Sequence, residues 1–320
     1  QSFTKEQEER ITLDSRDRYI KFDRRGDDLV PFPPKPLKVL PETTDFCTDR
    51  SYCYHREYMT NNTGQTESTL ALGGRQQMLQ ICSLRLSKYK SESYPITIYG
   101  IFAVRDDLEP LRNYVFNRSR DNPVMIHHDV FALPLCSPCR GMYVLDRALL
   151  EVDLWVKKEG DRSNDEKLLS AYVEINVRTC FDKMMTGRIH SDHCLLDMDY
   201  IFMDQSIEAV IHVFKTTDDP HDVRFSACSR CFDFGIKLFE GKCVEKGLHI
   251  VVVKAKEKLV VRLELDNSHF DWGFEDGAVG ASNYPPGNPI FNQFYVRVFF
   301  APKKGPDWRQ RSGYDDWKER

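Results

Sequence analysis

An antiparallel β-sandwich, or a partly closed barrel, is the fold this sequence predicts, preceded by an extended N-terminal arm. Three observations lead there. Residues 76–302 alternate apolar and polar side chains with a period of two, the mark of half-buried strands. Intervals between the strand-like runs are short, and few are long enough for a crossover helix. Residues 1–75 carry charge and proline in place of that alternation.

The arm comes first. Its opening stretch, KEQEERITLDSRDRYIKFDRRGDD, holds Ile11, Tyr19 and Phe22, too few for a broad apolar stripe on a helix. PFPPKPLKVLP follows, and Pro31, Pro33, Pro34, Pro36 and Pro41 favour an extended, polyproline-like spacer. The arm is expected to make few core contacts.

Within the β region, ALLEVDLWVKK sets Leu150, Val152, Leu154 and Val156 inward against Glu151, Asp153, Trp155 and Lys157 outward. KLLSAYVEINVR repeats the device with Leu169, Ala171, Val173, Ile175 and Val177. PITIYGIFAV is nearly all apolar and reads as a central strand covered on both faces. SIEAVIHVF, VRFSAC, GIKLF, LHIVVVKA, KLVVRLEL and QFYVRVFF supply further strands, whereas TGRIHSDHCLLDMDYI reads as a polar inter-strand loop. Residues 303–320 form a polar tail.

Composition narrows the function. Hydrophobic residues make up 41% of the 320 and charged residues 29%, a globular balance able to bury a sizeable core. The formal net charge of -4 lacks the basic surplus that phosphate binding demands, so nucleic acid is not the expected partner. No apolar run reaches the length of a membrane span. The chain starts at Gln1, so its true N-terminus is open and a targeting segment before it stays an open alternative. Ten cysteines spread over this length are sparse for a disulfide scaffold, and several fall inside apolar strands. That usage points to the cytosol or nucleus. Two Asn-x-Ser/Thr triplets, at Asn61 and Asn117, are too short to decide anything.

One block is distinctive. It contains Tyr99-Gly100, Arg105-Asp106, Pro110, Asn113-Tyr114, Arg118, Arg120-Asp121 and Pro123, then Pro138 and Arg140-Gly141. These residues resemble a plant, largely grass, family of domains without assigned function, some of whose members are fused to ribosome-inactivating N-glycosylase domains. The likeness runs from about Met78 to Phe300 and is densest between Leu79 and Asp153. It implies an accessory role in stress or defence. The Glu-Ala-x-Arg pattern of those toxins is absent: Glu208-Ala209 is followed by Val210-Ile211. Cys136 and Cys139 around Ser137-Pro138 depart from the small or basic residues the family resemblance leads one to expect.

Candidate chemistry divides as follows. Arg105, Asp106, Asn113, Tyr114, Arg118, Arg120, Asp121 and Arg140 are the candidate binding residues, because guanidinium groups take carboxylates or phosphates in bidentate pairs. The same residues would equally pin turns around Pro110 and Pro123, with Asp106 and Asp121 shielded acceptors, and that structural reading is the stronger of the two. Cys136 and Cys139, Cys228 and Cys231, and His190 and His193 have ligand-like spacing for a metal. The two CxxC pairs lie far apart in sequence, so no metal and no cofactor is expected. Acidic loops at Glu159–Glu166 and at Asp218-Asp219 with His221-Asp222 match no defined calcium loop. No nucleophile elbow, HExxH helix, phosphate loop or dinucleotide fingerprint occurs. The expected function is therefore a non-enzymatic interaction module whose partner is a protein. A hydrolase acting on RNA or carbohydrate, and a metal- or calcium-regulated binding domain, are the alternatives.

Overall fold

A computed structural model describes residues 34–40, 58–66, 75–89, 94–127, 131–177, 181–216, 222–242, 246–265, 268–276, 280–281 and 291–300. The opening of the expected arm, residues 1–33, and the expected tail at 303–320 lie outside the described residues. The chain folds as antiparallel sheets packed into a sandwich, open rather than closed into a barrel. Among the described residues there is no α-helix, only two 3-10 turns at Arg162–Asn164 and Phe291–Gln293. Contacts divide the chain into two compact units.

The first unit comprises residues 1–66, 81–136 and 144–201. Its strands are β1 (Lys35–Pro36), β2 (Lys38–Leu40), the later part of β3 (Gln76–Tyr89), β4 (Ile96–Arg105), β5 (Asn113–Arg118) and β6 (Val124–Ile126). After β7 (Met142–Tyr143), which belongs to the second unit, come β8 (Arg147–Val156), β9 (Glu166–Asn176), β10 (Met185–His190) and the start of β11 (Cys194–Lys215). One sheet runs β2-β9-β8-β4-β5, with β6 also on β4. Its alternation matches the sequence: Leu150, Val152, Leu154, Val156, Val173 and Ile175 are buried, together with Ile98 and Phe102. Each such side chain contributes about 1.5–3 kcal/mol by leaving water.

Two segments differ from the sequence expectation. The proline-rich spacer supplies strands: β1 pairs in parallel with β10, and β2 pairs antiparallel with β9. Proline lacks an N–H, so an edge strand is the place where a sheet tolerates Pro36. Leu37 donates its amide to the Arg188 carbonyl at 2.9 Å. Its side chain fills the space over Gly187, where an added Cβ would lie 2.6 Å from Leu37 Cδ1. Leu40 clusters with Tyr58 and Leu149, so this part of the arm contributes to the core. The second difference is TGRIHSDHCLLDMDYI, expected as a loop. It is the β10–β11 hairpin, turning at residues 191–193. Its polar residues satisfy one another on a buried face. Arg188 forms a bidentate pair with Asp197 at 2.6 and 2.8 Å. Asp199 accepts from Thr186 at 2.7 Å and Ser83 at 2.6 Å, and pairs with Arg85.

The second unit comprises residues 67–80, 137–143 and 202–320. Beside β7 and the remainder of β3 and β11 it holds β12 (Asp222–Ser229), β13 (Phe232–Lys242), β14 (Lys246–Lys254), β15 (Lys258–Leu265), β16 (Ser268–Glu275), β17 (Gly280–Ala281) and β18 (Phe294–Phe300). A four-stranded antiparallel sheet runs β13-β12-β15-β16. Residues 206–215 of β11 lie between β14 and β18. KLVVRLEL buries every second side chain, and Phe225, Trp272 and Phe294 pack with Phe225–Phe294 ring centroids 5.5 Å apart.

Candidate functional site

The distinctive residues fall into three clusters, two of them on one sheet face of the first unit. Residues directly opposite in a ladder share a face. On the outward face of the β9-β8-β4 sheet, Lys167, Trp155 and Tyr99 form one row. Ser170, Asp153, Ile101 and Asn117 form the next. Tyr172, Glu151 and Ala103 follow, and then Glu174, Leu149 and Arg105.

The Arg105 end of this face is closed. Arg105 is fully buried and donates to Glu151 Oε2 through Nε at 3.2 Å and Nη2 at 2.9 Å. Its remaining donors reach the carbonyls of Pro110 at 2.7 Å, Asn62 at 3.0 Å and Met59 at 3.3 Å. Arg112 holds the same carboxylate at 2.9 and 2.5 Å. One buried acid between two guanidinium groups therefore pins the 58–66 segment to the sheet. Asp106, also buried, caps the following turn by accepting the amides of Leu108 and Glu109, each at 3.2 Å. Asn113 is buried at the start of β5, and the half-buried Tyr114 offers its carbonyl to the Cys136 thiol at 3.6 Å. Arg118 is half-buried at the end of β5, opposite Gly100.

At the opposite end of the face, Asp165 accepts Arg120 Nε at 2.7 Å and Nη2 at 3.2 Å, the Tyr99 hydroxyl at 2.8 Å and the Lys158 amide at 2.9 Å. The Arg120 guanidinium beside it holds this carboxyl well below the usual carboxylate range. Arg120 also binds the carbonyls of Gly160 at 2.8 Å and Lys158 at 3.2 Å. Asp121, expected as a shielded acceptor, is exposed; the acid that answers Arg120 is Asp165, from the β8–β9 loop. Asp121 adjoins Arg120 in sequence but stays exposed, so adjacency misidentified the pair.

Between these pinned ends the face is open. Trp155 is half-exposed, and its indole Nε1 donates to Asp153 Oδ1 at 3.1 Å. Lys167 Nζ lies 5.4 Å and Arg162 Cζ 5.9 Å from the ring centroid. Gly100 adopts φ +126° next to Asp153, and a Cβ there would sit 2.0 Å from the Asp153 carbonyl oxygen, so only glycine fits this close approach. Sequence reasoning did not select Trp155 or Glu151. A large ring at an outward position of an alternating strand was the available signal for Trp155.

The third cluster lies in the second unit. Arg140 is fully buried, donates to the Gly141 carbonyl at 2.9 Å and stands 5.9 Å over the Tyr143 ring. The Gly141 amide donates to Glu208 Oε2 at 2.6 Å, while Glu208 Oε1 has no hydrogen-bond partner among the described residues. Burial pushes the Glu208 carboxyl up to about 7, against the opposing effects of the Gly141 amide and the Arg140 charge.

The metal candidates do not converge. Cys136, Cys139, Cys228 and Cys231 are all half-buried. Cys231 shares Glu257 with Ser229, at 3.8 and 3.0 Å. His190 ends β10 half-buried, and His193 is exposed in the tight turn, its amide bonded to Ser191 Oγ at 3.2 Å. Among the described residues, no three His, Cys, Asp or Glu side chains gather in a way that could hold a metal ion. In the Glu159–Glu166 loop, Asp161 caps the 3-10 turn and Asp165 is engaged as above. Asp218, Asp219 and His221 lie outside the described residues. A groove of about 390 Å³ beside β1 and β2, lined by Lys35, Leu37, Glu174, Met185 and Tyr200 among others, contains none of the distinctive residues.

Comparison with known proteins gives one family. A domain of unknown function, DUF6598, matches residues 78–283. No curated protein matches the chain. Among solved structures, the calcium-bound pair of C2 domains from Extended-Synaptotagmin 2 is 8% identical, covering 72% of this chain and 97% of that one at a TM-score of 0.25. Human GIVD cytosolic phospholipase A2 is 10% identical, covering 74% and 31% at a TM-score of 0.23. At such TM-scores neither likeness bears on fold or function.

Proposed function

Because this chain belongs to the DUF6598 family of domains of unknown function, we propose its role from its own surface: it is a non-enzymatic interaction module whose contact surface is the sheet face around Trp155. The sequence resemblance supplies a setting, an accessory role in stress or defence. The observation that carries the reading is the contrast along a single face. Arg105 and Arg120, the residues expected to bind a ligand, fasten loops at its two ends. The stretch between them presents a half-exposed tryptophan whose only polar atom is satisfied within the protein. Aromatic anchors held rigid on a scaffold are what binding surfaces use, because little side-chain freedom is lost on contact.

Affinity capture from extracts of the source tissue tests this with the wild-type chain and Trp155→Ala in parallel. Partners are expected on the wild type and missing from the variant. Capture that is identical for the two chains would remove this face from the reading.

A further inference from the structure

The Trp155 face has a composition that selects among partner chemistries. The groups around the ring are Asp153, Ser170, Asn117, Lys167 and Arg162, with Ile101 the one aliphatic side chain of the open rows. Acceptors and donors therefore alternate, and both signs of charge are present. A polyanion would meet the Asp153 carboxylate in the middle of the face, with the two cations Lys167 and Arg162 at its rim. An apolar peptide would need more than one aliphatic contact. A folded protein surface of standard size covers about 20–30 residues a side, whereas the open stretch between the two fastened loops is far smaller. What remains is a ligand that is neutral, narrow, rich in hydroxyls that both donate and accept, and equipped with a C–H face for an aromatic ring.

We propose that this face is a carbohydrate-binding platform, on which a neutral sugar unit stacks on the Trp155 indole and bonds through its hydroxyls to Asp153, Ser170, Asn117 and Lys167. The inference rests on the interaction-module reading and names its ligand class. The ring is prepared for stacking. Its N–H is already bonded to Asp153, which fixes its tilt, and Tyr99 in the same row is tied down through Asp165. The electron-rich ring face that draws Lys167 and Arg162 to 5.4 and 5.9 Å attracts the polarised C–H groups of a sugar by the same electrostatics. Lys167 and Arg162 are exposed and on long flexible stems, so they can swing aside and donate to hydroxyls at the rim. The backbone beneath does not yield, because Gly100 lies against the Asp153 carbonyl and Trp155 is held in the ladder between Lys167 and Tyr99.

The test uses the full chain and uncharged hexasaccharides of β-linked glucose, N-acetylglucosamine, xylose and mannose, followed by calorimetry and tryptophan emission, with sulfated heparin oligosaccharide as the charged control. At least one neutral hexasaccharide is expected to bind, and Trp155→Ala to weaken it about tenfold or more, the loss of one buried aromatic anchor. Lys167→Ala, an exposed change with no demand on folding, is expected to weaken the same sugar severalfold. No binding of any neutral sugar at millimolar concentration overturns the proposal, as does binding that both variants retain unchanged. Binding of heparin alone, falling steeply with salt, overturns it in favour of an anionic ligand. If the sugars fail while tissue capture still depends on Trp155, only the carbohydrate assignment falls; if both fail, the contact surface falls with it.

Discussion

Glu151 in the first unit and Glu208 in the second are both buried carboxyl groups on central strands, at 5% and 1% exposure, yet their surroundings differ. Glu151 lies between the guanidinium groups of Arg105 and Arg112, with a donor on each oxygen. Glu208 accepts one backbone amide on one oxygen and, among the described residues, no donor on the other. In the second unit the buried His212 and the half-buried His249 are pushed down to about 4, mainly by burial. The first unit thus holds the Glu151 charge by pairing it, and the second favours the neutral forms of Glu208, His212 and His249. A paired site resists pH and fails when a partner is removed. A neutral site tolerates substitution by an uncharged isostere and answers to pH.

The largest expected effect breaks the paired side. Arg105→Ala leaves the Glu151 carboxylate and the Pro110, Asn62 and Met59 carbonyls short of a donor. It should cost about 3 kcal/mol or more in urea unfolding, the range for opening a buried pair. A loss below about 1 kcal/mol would put Arg105 among ordinary surface arginines and end the contrast.

Glu208→Gln probes the neutral side. The folded carboxyl titrates near 7 against 4.5 for an ordinary glutamate. Its proton-bound form is therefore favoured by folding. That stability is fully present below pH 4.5, declines as pH rises, and is gone above about 7, a loss on the order of 3 kcal/mol. The Gln variant should match the wild type at pH 4.5 and exceed it at pH 8. Parallel curves at the two values would show that Glu208 does not control this limb.

His212 gives the opposite limb. Its folded value near 4 lies below the ordinary 6.5, through burial first and the Arg297 charge second. The neutral ring is favoured by folding, so stability present above 6.5 is lost as pH falls through about 4, on the order of 3 kcal/mol. His212→Phe, beside Phe214 and Phe299, should flatten the acid side of the pH-stability profile. An unchanged acid limb would shift the effect to His249.

Smallest are the two aspartates of the distinctive block. Asp106→Ala removes the acceptor for two turn amides and should cost about 1 kcal/mol. Asp121→Ala, at an exposed site, should stay within about 0.5 kcal/mol. A reversed order in their melting temperatures would restore Asp121 as the structural acceptor.

The strands were legible wherever one side faced water, as in KLVVRLEL and ALLEVDLWVKK, because burial on one side writes a period of two into the chain. The β10–β11 hairpin was hidden because Thr186, Arg188, Asp197 and Asp199 are polar on a buried face and satisfy each other across strands. A hydropathy pattern carries no sign of such pairing. The candidate site was legible in part. Arg105 and Asp106 are the turn-pinning residues that their chemistry suggested. The partners Glu151 and Asp165 come from strands and loops distant in sequence, 46 and 45 positions away from Arg105 and Arg120, and no local pattern specifies them. The division into two units left no clear trace either, since two of its limits, at 80/81 and 201/202, fall inside β3 and β11 and interrupt no alternation.

Those limits set a timetable for synthesis. The first unit has its whole chain once residue 201 has left the ribosome, whereas the second needs residues 67–80, 137–143 and everything from 202 onward. Met78, Leu79, Met142 and Tyr143, all buried in the finished protein, are translated early and stay without the bulk of their own unit until the last strands arrive. Early-made apolar segments that wait for late partners are the stretches a nascent chain exposes longest. The second unit is therefore the one whose yield should depend on translation speed and on chaperones that shield hydrophobic segments, and slowing elongation after residue 202 should lengthen the interval in which this chain is prone to aggregate.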